Sequence, residues 1–422
     1  MDGNKSVTAN FTMLPPTVTG PSDRTVTAGQ TATFSVTAQG AGTLSYQWQK
    51  RPVGGSFSTI SGATSANYTT PATAIDDNGA AYLCVVSNSG GSGTSNAATL
   101  TVHYVQIDTQ PTAQTAVENG SVTFTVAATG NPAPAYQWQK GVGGTYSDIG
   151  SATAATHTFP VNCPVHFGTS YRCVVSNSAG ALQMSNVAAL TIVIKDGDNN
   201  TYNIVKIGNQ FWTKENLKAT KYADGMTEIP LVTDATEWAG LTSPGYCWYG
   251  NSTDTKERQK WGALYNWYVV DPANSHKIAP AGWSVPTDAQ WTDLENYLTA
   301  NGYNWDGTIP EGGPPYYLSE RKIARAMAAQ TDWRETEDWV IAPEGAPGYD
   351  LSKNNASEFS ALPSGYRAEF GFHYQSYFGE WWSATQLHTS EAHFRVLSYD
   401  NESLSRYNRK KSWGYSVRLL RN

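Results

Sequence analysis

The clearest pattern of hydrophobic and polar positions lies in the last forty residues. Two apolar blocks, Trp381-Trp382-Ser383-Ala384-Thr385 and Gly414-Tyr415-Ser416-Val417-Arg418, bracket a run, Phe394 to Lys411, that alternates as strands do. Ten of its eighteen positions are Tyr, Asn, Ser or Arg. This is the palette of an antibody paratope, where rigid aromatics supply contact area and small polar groups supply adaptable hydrogen bonds. Such a surface recognises rather than catalyses. Further upstream the period is helical. Thr287-Asp288-Ala289-Gln290 follows Pro286 as a capping box and opens a helix through Trp291, Leu294 and Leu298. The pattern predicts a second helix over residues 262–270 and a third over 319–329, with strands dominant from Phe359 onward. That mixture is α+β.

Before residue 196 the texture is different, and it repeats. Thr33-Phe34-Ser35-Val36 recurs as Thr123-Phe124-Thr125-Val126, and Tyr46-Gln47-Trp48-Gln49-Lys50 recurs unchanged from Tyr136. Tyr82-Leu83-Cys84-Val85-Val86-Ser87-Asn88-Ser89 returns from Tyr171, giving offsets of 90, 90 and 89 residues. Short alternating segments between Gly, Asn, Pro and Ser turns favour a sandwich. The core Trp, and the Tyr two residues before a Cys, resemble an immunoglobulin-like domain with its tyrosine corner. Phe34 and Phe124 stand where the partner Cys would be, so Phe, Trp and Cys fill that space by packing. Cys84 and Cys173 then read as small buried hydrophobes, with a Cys163–Cys173 pair as the alternative. The linkers, Val102 to Asp108 and Val193 to Asn200, are short and not Gly/Ser-rich, which predicts a semi-rigid stalk. Ligand binding by the sandwich loops is the other possibility.

At 422 residues the chain is long enough for about three domains. Charged residues make up only 15 %, while Gly, Ser, Thr, Asn and aromatics abound, as in extracellular β-rich proteins. A net charge of −7 without basic blocks argues against nucleic acid and anionic membranes. No apolar stretch reaches the roughly 18 residues needed to span a bilayer. Residues 1–11 lack signal-peptide features. They resemble the final strand of a divergent InlB-type B-repeat of modular bacterial adhesins, which implies an export signal further upstream. The alternative is a plain leader.

The C-terminal part is identified as a member of the FISUMP family, the major paralogous domain of bacterial surface proteins. The blocks that carry the resemblance run in order: Tyr202 to Trp212 with Glu215-Asn216-Leu217; Tyr246-Cys247-Trp248-Tyr249; Gly262 to Tyr268; Gly282 to Thr287; Phe359 to Arg367; Trp381-Trp382-Ser383; and Gly414 to Arg418. Ala279 stands where members often carry Cys, which leaves Cys247 without a bridging partner. The resemblance implies a C-type-lectin-like fold. In some members it also implies a C-terminal segment rewritten by diversity-generating retroelements. Arg395, Leu397 and Tyr399 match fixed positions of the family. His393, Phe394, Val396, Ser398 and Asp400 fall beside or between them, on one face of a strand. Ser405, Tyr407, Arg409 and Trp413 separate in the same way from Leu404, Arg406 and Gly414. Tyr374, Tyr377, Phe378, Leu387 and His388 are ligand-binding candidates in the loops around Trp381-Trp382.

No nucleophile elbow, Walker loop, His-Glu-x-x-His or Cys-x-x-Cys occurs. Gly90-Gly91-Ser92-Gly93 reads as a hairpin turn. His373, His388 and His393 are candidate metal ligands, weighed against ordinary contact residues. Glu335, Glu337, Asp338 and Glu344 are candidate glycosidase carboxylates, weighed against a solvated loop. Asp196 to Asn200 has calcium-loop spacing, but Ile207 replaces the terminal Glu of an EF-hand; a polar turn is the simpler expectation. The sugar-binding triplets of true C-type lectins and the redox cysteines of formylglycine-generating enzymes are missing.

The expected architecture is therefore multidomain. A terminal strand (1–13) precedes two all-β Ig-like sandwiches (14–104 and 105–194) and an α+β C-type-lectin-like binding domain (195–422). The expected function is non-enzymatic: an adhesin-like, extracellular protein on a bacterial cell or virion surface, without cofactors. Its head is expected to be monomeric and to bind a protein or glycan receptor on another cell or surface. The alternatives are a phage tail-fibre receptor-binding protein, a structural spacer, and a secreted carbohydrate-active enzyme.

Overall fold

A computed structural model of the protein describes residues 12–314, 317–336 and 342–421. The expected strand over residues 1–11 and the carboxylates of Glu337 and Asp338 lie outside the described residues. The chain forms two compact units. One comprises residues up to Thr115 together with Ser121–Thr191; the other comprises Ala116–Gly120 together with Ile192 onward.

The first unit holds both repeats, each built around the same buried trio. Phe34, Trp48 and Cys84 are fully buried, as are Phe124, Trp138 and Cys173. Phe34 stacks on Tyr82 at 4.5 Å and Phe124 on Tyr171 at 4.7 Å, so an aromatic pair fills the space of the missing inter-sheet bridge. Each Trp indole donates to a carbonyl, Ser65 O at 2.9 Å and Ala154 O at 3.0 Å. Burial raises the Cys84 thiol and pushes Cys173 up to about 11. Cys173 is a free thiol, so no Cys163–Cys173 bridge forms. In the second repeat the Tyr171 hydroxyl accepts a hydrogen bond from the Thr169 hydroxyl at 3.4 Å. The hairpin turn falls at Ser89–Gly90, and Gly91, Ser92 and Gly93 of the expected turn run on as its second strand.

The stretch from Val102 to Asp108 is not a linker loop. It lies inside one twelve-residue strand, Ala98–Thr109. Leu100–His103 pair in parallel with Arg24–Thr27, and Tyr104–Ile107 pair with Ala128–Asn131 of the second repeat. Asn131 Nδ2 donates to Val102 O and to Asn78 Oδ1, each at 3.1 Å. The ladder partners of both repeats keep this backbone extended where composition alone suggests a connection.

In the C-terminal unit, Val193–Lys195 pair with Thr201–Asn203 around the turn at Asp196–Asn200. Leu420–Arg421 return beside Phe211–Trp212. Behind this sheet lies a Trp-rich core. Trp212 and Trp291 sit 4.7 Å apart, and Trp291 and Trp381 6.3 Å apart, with Phe359 edge-on to all three. Asn216 Oδ1 accepts from Trp381 Nε1 and Arg418 Nε, both at 2.8 Å, tying two sequence blocks to one side chain.

The helix Asp288–Ala300 begins as its capping box predicts. Gln290 N donates to Thr287 Oγ1 at 3.3 Å, and Thr287 N to Gln290 Oε1 at 2.9 Å. Trp291, Leu294 and Leu298 face the core. The other two expected helices are corrected. Residues 263–265 form a strand paired with Tyr246–Trp248, and only Trp267–Val270 turn as helix. Gly262, at φ 78°, caps the helix Thr255–Trp261 and redirects the chain. Over 319–329 only Leu318–Glu320 and Ala324–Met327 are helical. There Ala324 N and Arg325 N donate to Glu402 O and Gly345 O instead of extending a helix.

The last large element is an antiparallel three-stranded sheet: a first strand Phe378–Gln386, a middle strand Glu391–Ser398 and an edge strand Ser405–Lys410. Its inner face is fastened to the capped helix. Arg395, 1 % exposed, donates through Nε to Glu295 Oε1 at 2.7 Å and also pairs with Asp288. Leu397 joins the Trp core, and Arg406 reaches Asp288 at 2.9 Å. Arg395→Ala leaves Glu295 to Arg321 and Asp288 to Arg406 but removes their buried hydrogen bonds to this side chain. It should destabilise this unit by about 2–3 kcal/mol, while Thr287→Ala at the helix cap should cost about 1 kcal/mol. Urea unfolding followed by Trp fluorescence measures both; equal losses would contradict the role given to the pair.

Candidate functional site

The same register that sends Arg395 and Leu397 inward sends their neighbours outward. Across the sheet, Phe378 lies opposite Ser398. Glu380 aligns with Val396 and Ser405, and Trp382 with Phe394 and Tyr407. Ala392 faces Arg409 in the next row. Tyr366, from the strand Tyr366–Ala368, and Trp413 and Tyr415, from the C-terminal segment, face these rows across a cavity of about 310 Å³. Nine expected positions line it: Phe378, Phe394, Val396, Ser398, Asp400, Ser405, Tyr407, Arg409 and Trp413.

The cavity is largely aromatic. Tyr366 and Trp413 stack at 5.3 Å with rings 7° from parallel, and Phe394 stacks on Tyr415 at 4.5 Å. The Arg409 guanidinium lies 5.4 Å from the Trp413 ring centre and 5.9 Å from that of Phe394. Tyr407 is 52 % exposed at the rim. Phe394 departs from expectation, because at 2 % exposure it is floor rather than open surface. Its ring is taken up by Tyr415 and Trp382.

Three buried polar groups on this cavity have no hydrogen-bond partner among the described residues: Glu380 Oε2, Tyr415 Oη and Trp413 Nε1. Glu380 is 6 % exposed and Tyr415 fully buried. Burial holds the Glu380 carboxyl well above the usual carboxylate range, with the Arg409 charge pulling the other way. Burial also raises the Tyr415 phenol, which the neighbouring Glu380 raises further, and pushes Tyr366 up to about 12. Native interiors rarely leave such groups unpaired, so their concentration here marks the site.

Five expected positions fall outside this cavity lining. Tyr374 is exposed and edge-on to Phe378 at 5.1 Å. Tyr377 packs under the Arg334 guanidinium and against Tyr399, as part of the framework. Leu387 and His388 form the turn between the first and middle strands. His393 alternates to the face of Arg395, which separates it from Phe394 and Val396. Sequence reasoning missed Glu380, Tyr366 and Tyr415. Glu380 had a signal: a lone carboxylate in an apolar run, two residues from both Phe378 and Trp382 and therefore on their face. Tyr366 and Tyr415 sit inside the blocks that carry the family resemblance, where no pattern sets them apart as contact residues.

Among the described residues the other candidate chemistries do not assemble. Asp196 accepts from Asp198 N, Asn200 N, Asn200 Nδ2 and Tyr202 Oη. Asp198 accepts from Thr220 and Lys221. Their carboxylates are thus occupied by donors, and the segment is a polar turn. His373, His388 and His393 sit on a strand, a turn and a second strand, and no metal-binding group of His, Cys, Asp or Glu occurs among the described residues. Glu335 and Glu344 are exposed, with Glu344 3.8 Å from Arg325. Cys247 is a free thiol that burial pushes up to about 12.

Comparison with known proteins adds three family matches. The model described as the Fibrobacter succinogenes major domain matches residues 205–421, just over half of the chain. Immunoglobulin domain models match residues 15–102 and 106–177. Endoglucanase C of Cellulomonas fimi is 37 % identical over 163 residues, which is 38 % of this chain but only 14 % of that protein. Among solved structures, the two-domain IG1+IG2 fragment of DIP-gamma is 16 % identical, covers 42 % of this chain and 97 % of its own, and has a TM-score of 0.34. The I67–I69 fragment of the titin I-band is 17 % identical, covers 44 % and 68 %, and has a TM-score of 0.31.

Glu380 makes stability depend on pH. The folded chain keeps this proton above the ordinary value of 4.5 at which the unfolded chain loses it. The stability it contributes is full below about pH 4.5 and is lost as pH rises toward the folded-state value. Glu380→Gln keeps the shape without the ionisation. Its unfolding midpoint should match the parent near pH 4 and exceed it by a few degrees near pH 8. Parallel pH profiles in a thermal scan would contradict this.

Proposed function

We propose that this chain, which belongs to the family of the Fibrobacter succinogenes major domain, is a non-enzymatic recognition protein displayed on a bacterial cell or virion surface. Its two immunoglobulin domains act as the stalk, and its C-terminal unit, with a C-type-lectin-like arrangement, is the binding head. The observation that carries this reading is the two-sided sheet. One face is bonded into the Trp core and the capped helix, while the other lines a cavity with aromatic walls and unpaired polar groups. A framework fixed on one side tolerates replacement on the other, as in a paratope. That division also suits codon rewriting by a diversity-generating retroelement, and we assign the cavity-facing positions of the middle and edge strands as its targets.

The similarity to an endoglucanase favours one second reading, an accessory part of a secreted carbohydrate-active enzyme. The chain spans a small fraction of that relative, so the relative's activity is not carried over.

Deep sequencing of the locus across a cultured population tests the primary reading. Substitutions should concentrate at Val396, Ser398, Asp400, Ser405, Tyr407, Arg409 and Trp413 and spare Arg395, Leu397 and Leu404. A uniform sequence would remove the retroelement and leave a recognition protein of fixed specificity. Turnover of a glycan panel by the intact chain would contradict the non-enzymatic reading itself.

A further inference from the structure

We propose that the cavity seats an organic cation, the alkylammonium of a lysine side chain on a protein partner, with Glu380 as its counter-ion and the surrounding rings as its cage. This deepens the recognition reading and rests on it.

Three observations converge on a cation. The lining is aromatic, with Tyr366 nearly parallel to Trp413, Phe394 stacked on Tyr415 and Tyr407 at the rim, and a guanidinium already lies over the rings of Trp413 and Phe394. Ring faces carry negative charge density and attract cations, more strongly where water is excluded. At the floor lies Glu380, whose Oε2 has no partner among the described residues. A carboxyl buried without a partner is costly unless something arrives to pair with it. The third observation is Arg409. Its guanidinium already lies over Trp413 and Phe394, the position a ligand cation would take. Among the described residues its side chain donates only to the neighbouring carbonyl of Asn408, at 3.0 Å, and the residue is exposed. Arg409 is therefore a displaceable internal stand-in.

The charges facing the cavity exclude the opposite sign. Asp400 and the ionisable Glu380 are the acidic groups and Arg409 alone is basic among the lining residues, so an anion would meet Asp400 and no second cation once Arg409 is moved. A neutral polyol could stack on the rings, but it would leave Glu380 protonated. The two classes thus differ in proton bookkeeping. The titratable or charged groups facing Glu380 are Arg409 of the edge strand, Asp400 of the turn before it, Tyr366 of the opposing strand, and Tyr407 and Tyr415. Tyr366 and Tyr415, both raised by burial, stay neutral across the working range. A bound ammonium draws Glu380 into its ionised form and releases the proton to solvent, so binding strengthens as pH rises.

The test titrates the full chain with N-acetyl-lysine methylamide, n-butanol, methyl β-glucoside and sodium acetate. It follows the Trp413 indole ¹⁵N–¹H resonance and the Glu380 side-chain carboxyl ¹³C shift. The lysine probe should saturate both signals, move the Glu380 carbon toward its carboxylate position, and bind about tenfold more tightly near pH 8 than near pH 5. Arg409→Ala should tighten it at least threefold, and Glu380→Gln should weaken it at least tenfold. Saturation by the glucoside or by acetate in place of the lysine probe would overturn the cation assignment. So would lysine binding unaffected by Glu380→Gln, or no response to any probe. The recognition reading is tested independently by population sequencing, so either can fail without the other.

Discussion

The inward salt bridge of Arg395 is the constraint on which the C-terminal unit depends. Arg395 sits nearly fully buried between Glu295 and Asp288 of one helix. An ion pair of this kind adds little net stability over a well-packed apolar contact, because both charges must be stripped of water. What it does impose is register. A slip of one residue would turn Arg395 to the open face and set Phe394 or Val396 against Glu295 and Asp288, leaving these carboxylates only their second cations, Arg321 and Arg406. The middle strand therefore has one acceptable alignment, and its two neighbours inherit it through the ladder.

Two further arginines apply the same logic to loops. Arg367 donates to the carbonyls of Val232, Thr233 and Asp234, beneath the ring of Trp238. Arg418 donates to Thr213 O, Phe359 O and Ser360 O, and burial pulls it down to about 9 against the opposing charge of Glu215, still charged at neutral pH. Irregular backbone buried in a core must find partners for its carbonyls. The forked guanidinium supplies several donors at once. Loops fixed in this way hold the aromatic wall of the cavity in place while its own polar groups stay unpaired. That combination, a satisfied framework around an unsatisfied pocket, is what separates a site from a packing defect.

Much of this was legible in the chain. The repeat spacing and the Tyr-Gln-Trp-Gln-Lys blocks located both sandwiches, and the Thr287 capping box located the one long helix. Period-two alternation separated Arg395, Leu397 and Tyr399 from Val396, Ser398 and Asp400. The failures have physical causes. Residues 263–265 are buried on both sides, so their apolar run carries no period to distinguish strand from helix. The strand through Val102 is extended because the second repeat supplies ladder partners, which local composition does not encode. Phe394 lies on the expected face yet is covered by Tyr415, because facing outward from a sheet is not the same as facing water. Glu380 was overlooked for the opposite reason: its meaning comes from the rings around it, and those arrive from distant segments.

The central claim is that one face of the three-stranded sheet is framework and the other is free to recognise. A saturation scan of residues 378–413 in the full chain, displayed on a cell surface and sorted for folded protein, tests it most directly. The account predicts a tolerance profile that alternates with period two. Arg395, Leu397 and Leu404 should accept almost nothing, and Val396, Ser398, Ser405, Tyr407 and Arg409 should accept most side chains. Equal intolerance on both faces would contradict it, and would make the cavity part of the core.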